Sequence, residues 1–187
     1  MEFTLMTIPQ AIKDTSFVDE NVDDNLIATT IKTAQDLYIH PIVGTAMYDE
    51  ILAEINAGSV SAKYTTLLDS YLVLALIWWT LYEGVDVFTY KIRNKGIMRE
   101  TSESTALPSL EEIKRLADSF RNKAEYYSER ATKYLYENQD TYPLINNAGT
   151  GIDTIHPNSS NYQTGWYLGG RKSCHPGEYN RNNQIEI

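Results

Sequence analysis

Nine consecutive residues, Tyr71-Leu72-Val73-Leu74-Ala75-Leu76-Ile77-Trp78-Trp79, carry no charge and only one hydroxyl. A helix that is apolar on every side must be surrounded by protein or by lipid. The run is too short for lipid, because a membrane span needs about 20 apolar residues, and Asp69 and Glu83 bracket it. The remaining reading is a central helix, from about Ser61 to at least Glu83, with Leu74 and Trp78 in the core. The rest of the chain has to wrap it.

Three more helices are legible. Val22, Leu26, Ile31, Ala34 and Tyr38 recur on one helical face. Asp19, Glu20, Asp23 and Asp24 crowd the start of that helix, where the dipole favours negative charge. Pro41 is expected to end it and to push His40 towards an extended conformation. After the link His40-Pro41-Ile42-Val43-Gly44, a second helix runs from about Thr45 to Ala57, with Tyr48, Ile51, Leu52 and Ile55 as its stripe and Gly58 at its C-terminal stop. The short link suggests that these two helices pack as a hairpin. The last helix opens on a capping box, Ser109 with Glu112. Ile113, Leu116, Ala117, Phe120, Ala124, Tyr127, Ala131 and Leu135 hold its apolar face, and charges of alternating sign hold the other. Val85 to Glu100 fits either a continued helix or a short hairpin, and Asn94-Lys95-Gly96 favours the hairpin.

The fold class is therefore all-α: a compact four-helix domain over residues 1–140 and a long, mostly irregular arm over 141–187. The arm holds six of the ten glycines, three of the six prolines and seven asparagines. Its three basic and three acidic residues cancel, so the whole net charge of −9 lies in residues 1–140. That balance disfavours an autonomous nucleic-acid module, which needs a basic face to neutralise phosphates, and an anionic membrane surface. One cysteine, Cys174, rules out an intrachain disulfide. The N-terminus lacks the basic start and apolar core of a signal peptide.

No catalytic constellation stands out, and no cofactor is expected. Asp153, His156, Cys174 and His175 could supply metal ligands, but their spacing matches no zinc pattern. Gly149-Thr150-Gly151 and Gly169-Gly170 lack the helix and lysine of a phosphate loop. His40 sits in a helix link, where a structural role is the simpler reading. In the arm, Tyr142, Tyr162, Trp166, Tyr167 and Tyr179 are more large aromatics than a disordered tail needs. They suit docking onto neighbouring subunits, and packing back on the chain's own helices is the alternative.

The stretch Ala34-Gln35-Asp36-Leu37-Tyr38-Ile39-His40-Pro41-Ile42-Val43-Gly44-Thr45-Ala46-Met47-Tyr48-Asp49-Glu50-Ile51 resembles the N-terminal hairpin of head–tail connector (adaptor) proteins of tailed bacteriophages. In those proteins a helix ending in Gln and an aromatic passes through a Pro-x-x-Gly link into a second helix. Trp78-Trp79-Leu81-Tyr82, Asn94-Lys95-Gly96-Ile97 and Ala124-Glu125-Tyr126-Tyr127 fit the same pattern over about residues 15–138. The likeness is greatest to connectors from phages of Bacteroidetes-type hosts, including the crAss-like group.

The resemblance implies a structural virion protein and not an enzyme. It implies a homo-oligomeric ring of about twelve copies that contacts the portal protein and the next neck or tail component, with DNA passing through without specific binding. Acidic residues on one face would then line the channel, with Asp49, Glu50, Glu54, Glu111, Glu112, Asp118 and Glu125 as candidates; a solvated outer face is the plainer reading for any one of them. Two other readings stay open. One is a soluble helical protein-binding or regulatory module. The other is a small enzyme with its site in 141–187.

Overall fold

The computed structural model describes residues 4–16, 18–93, 96–99 and 109–158. Among these residues it is all-α apart from one small hairpin. Helix α1 is Pro9–Thr15, and it buries Ile12. Helix α2 begins as Asp24–Ala34, with the Asp23 carboxylate accepting from the Asn25 N–H at its N-cap. Helix α3 is Thr45–Asn56, and the residue that closes it, Gly58, has φ +67°. Helix α4 runs over 62–89, through Ala62–Leu67, a π turn Leu68–Leu72, and Val73–Thr89. Strands β1 (Tyr90–Arg93) and β2 (Gly96–Arg99) then pair antiparallel, Tyr90 with Arg99 and Arg93 with Gly96. Both sequence readings of 85–100 thus hold in part: the helix passes Gly84 and the hairpin follows. Helix α5 is Leu110–Glu137, opened by the expected capping box between Ser109 and Glu112.

Helix α4 is the centre. It packs chiefly against α5 along one side and against α2 along another. By length and composition, 62–88 would pass for a membrane span. In the fold its Leu72, Ala75, Leu76, Ile77, Trp79 and Leu81 are instead buried against neighbouring helices. The Trp79 indole N–H donates to the buried Ser128 Oγ at 2.8 Å, which gives the ring's polar atom a partner inside the core. Gly84 lets the Phe88 ring close over the helix, since a Cβ there would sit 2.4 Å from it.

Three expectations are corrected. Helix α2 does not stop before Pro41. It continues through a π turn, Gln35–Ile39, into a last turn, His40–Val43, and His40 is helical at φ −53° and ψ −46°. The wider turn bonds the His40 N–H to the Gln35 carbonyl. In a regular helix the proline ring would meet the carbonyl four residues back, and a π turn just before the proline changes that spacing. Gly44, at φ +78°, is what ends the helix. Second, Trp78 and Leu74 are only half-buried, and Trp79 and Leu76 take the core places expected of them. Third, Leu116 on α5 is exposed, and the buried stripe runs Phe120, Ala124, Ser128, Ala131 and Leu135.

Candidate assembly site

The residues that link α2 to α3 form a densely bonded polar junction. Gln35 is fully buried and uses both ends of its amide: Oε1 accepts from the Met6 N–H at 2.9 Å, and Nε2 donates to the Tyr48 hydroxyl at 2.9 Å and to the Thr4 carbonyl at 3.3 Å. The Tyr48 hydroxyl donates to Asp36, which is also paired with Lys32. The His40 ring stacks on Tyr48 with centroids 4.3 Å apart. Burial raises the Tyr48 phenol above its usual range, and the Asp36 carboxylate adds to that. Burial lowers His40, against the opposing pull of Asp36 and Asp49. These groups are committed to one another, which is what a fixed junction requires.

The chain after α5 completes this junction. The first N–H groups of a helix lack internal partners, and Gly44 has no side chain to cap α3. Carbonyls from a distant segment serve instead. The Ala46 N–H donates to the Ala148 carbonyl at 3.2 Å, and the Thr45 N–H donates to the Ile155 carbonyl at 3.0 Å. The Asn158 N–H donates to the Pro41 carbonyl at 2.8 Å. The Pro157 ring lies where a Cβ on Gly44 would be, 2.6 Å from its Cγ. Residues 148–158 therefore form a strap across the start of α3.

Tyr142 belongs to the same body and not to a subunit-seeking arm. It is 2% exposed. Its hydroxyl donates to the Lys63 carbonyl at 2.8 Å, and its ring meets Tyr64 and Tyr134 at 6.2 and 6.0 Å. Tyr134 in turn stacks on Tyr71 at 4.0 Å. With Ile145 and Ala148 also buried, the packed body reaches past residue 140. A Pro143–Asn146 3-10 turn, too short for periodicity to reveal, returns the chain to the core. Tyr162, Trp166, Tyr167 and Tyr179 lie outside the described residues, as do Cys174 and His175.

The seven candidate carboxylates divide into two groups. Glu50 pairs with Lys63 at 3.1 Å, Glu54 accepts from the Ser61 N–H at 2.7 Å, and Glu125 pairs with Arg121 at 2.8 Å. Glu112 accepts from the Ser109 N–H in the capping box, and that bond holds its carboxyl below the usual range. Asp49, Glu111 and Asp118 are exposed, and the described residues offer them no hydrogen bond or ion pair. Glu111 and Asp118 are seven residues apart, on one stripe of α5.

The class this geometry defines is an all-α body built on a π-bulged helical link, with its third helix capped by a strap from the chain's far end. The chain belongs to a family of unknown function, DUF6712, whose pattern matches residues 39–155. The match opens in the last π-turn residue and closes at the strap residue bonded to Thr45. No curated protein and no solved structure matches the chain.

Proposed function

We propose that this protein is a structural subunit of a phage neck, a ring of about twelve copies beneath the portal that joins head to tail and extends the DNA channel. The observation that carries the reading is the link between α2 and α3. The residues by which the sequence resembles connector proteins, Ala34 to Ile51, are the residues that form the bonded junction. A rigid helical wedge suits cyclic head-to-tail packing, where every copy presents one surface and receives another. The acidity of residues 1–140 suits a channel through which DNA slides, since phosphate binding by counterion release is weak there. Of the seven candidate carboxylates, Asp49, Glu111 and Asp118 are the exposed ones without a hydrogen bond or ion pair among the described residues, and they are the ones offered for such a lumen.

The test is a cryo-EM reconstruction of the neck of the particle that carries this protein. The reading expects one ring of the helical body next to the portal. Purified particles that lack the protein, or that hold it away from the neck, overturn it.

A further inference from the structure

Helix α4 leaves one apolar stripe half-exposed: Tyr71, Leu74 and Trp78, at the i, i+3, i+7 spacing of one face. Two cations from α5, also seven residues apart, lie over its ends. Lys123 Nζ is 4.2 Å from the Trp78 ring centroid, and the Arg130 guanidinium is 5.0 Å from that of Tyr71. Beside them Tyr126 is 63% exposed and shares a groove with Tyr71, Tyr134 and Arg130, which Glu129, Lys133 and Glu137 also line. Long cationic side chains over aromatic faces shield apolar surface while they stay mobile enough to move aside. The result is a groove with aromatic and charged walls beside a half-exposed apolar stripe.

The described chain ends at Asn158, on Pro41, and 29 residues follow it. Those residues hold three basic and two acidic side chains, a net charge of +1, and carry Tyr162, Trp166, Tyr167 and Leu168 within seven positions that have no charge of their own. The eight residues from Asn158 to Trp166 reach about 27 Å when extended. A body of this size has a radius of gyration of about 15 Å, so the aromatics can cross to an adjoining copy. An uncharged stretch on a slightly basic tail meets no repulsion from an acidic body.

We propose that residues 162–168 of a neighbouring copy lie in the Tyr71–Tyr126–Tyr134 groove and along the Leu74–Trp78 stripe beside it, with Trp166 against Tyr126 and between Lys123 and Arg130. The proposal rests on the ring reading and names the surfaces of one subunit contact. Groove and segment are different surfaces, so the contact is heterologous, and each copy gives one and receives one.

The experiment places the photocrosslinking residue p-benzoylphenylalanine at Tyr126 in the full chain and mixes it with an isotope-labelled copy. The expected product joins position 126 of one isotope to residues 159–187 of the other, and Trp166→Ala lowers its yield at least tenfold with helical circular dichroism unchanged. Crosslinks to another segment, crosslinks within one copy, a Trp166→Ala yield equal to that of the parent, or a chain that stays monomeric overturns the proposal. A ring that assembles without the 126-to-tail product removes this contact and leaves the ring reading standing. Absence of any ring removes both.

Discussion

Thr45 and Ile155, 110 positions apart, are bonded to each other twice. The Thr45 N–H donates to the Ile155 carbonyl at 3.0 Å, and the Ile155 N–H donates to Thr45 Oγ1 at 2.9 Å. The same Oγ1 lies 2.9 Å from His40 Nε2. One threonine thus ties the end of α2, the start of α3 and the strap.

Gly44→Ala attacks this tie directly. The added methyl would meet the Pro157 ring, and φ +78° strains any residue with a Cβ. A loss of about 1–3 kcal/mol is expected from urea unfolding, the usual cost of such backbone strain. A change under about 0.3 kcal/mol would mean that the strap moves aside freely.

Truncation separates the body from the tail. A chain ending at Asn158 should keep a cooperative urea transition, because the described core lies within it. One ending at Asp140 should lose most of its stability, because Tyr142, Ile145 and Ala148 leave the core. Tyr142→Ala alone should cost about 3–5 kcal/mol, as for other large buried aromatics. Equal midpoints for the two truncations would contradict the packed position of Tyr142.

Within α4, Leu76→Ala should cost about 2–5 kcal/mol and Leu74→Ala less than about 1.5 kcal/mol, because only Leu76 is fully enclosed. Chemical denaturation of both variants checks the ordering. The reverse order would place the helix in a different rotation.

His40 sets a pH dependence. Burial holds its pKa below the ordinary 6.5, so the fold favours the neutral imidazole. Between the folded value and 6.5 the unfolded chain binds more protons. Its contribution to stability is therefore full above about pH 6.5 and falls as the pH drops through that window. His40→Gln should flatten the urea midpoint between pH 7 and pH 5 relative to the parent. Parallel curves would show that His40 titrates alike in both states.

Helix α3, the core of α4 and the capped start of α5 were legible because each has a local cause: Gly58 at a left-handed stop, an all-apolar run, and a Ser-x-x-Glu box. What was not legible has non-local or phase-shifting causes. The run 71–79 is apolar on every side, so it carries no phase to tell Trp78 from Trp79, and the π turn Leu68–Leu72 before it breaks the regular period. The π turn Gln35–Ile39 hides the passage through Pro41 in the same way. Helix α1 buries Ile12 alone, too little for a periodic signal. The strap depends on backbone carbonyls, which have no residue signature. Of the candidate acids, sequence shows their number, but only the fold shows that Glu50, Glu54, Glu112 and Glu125 already have partners.

The central claim is ring assembly, and the most direct measurement is the mass of the purified full-length chain by light scattering after size exclusion, alone and mixed with the portal protein of the same particle. The account predicts a discrete species of about twelve subunits of 21.3 kDa, formed alone or on the portal. A monomer or dimer under both conditions would contradict it.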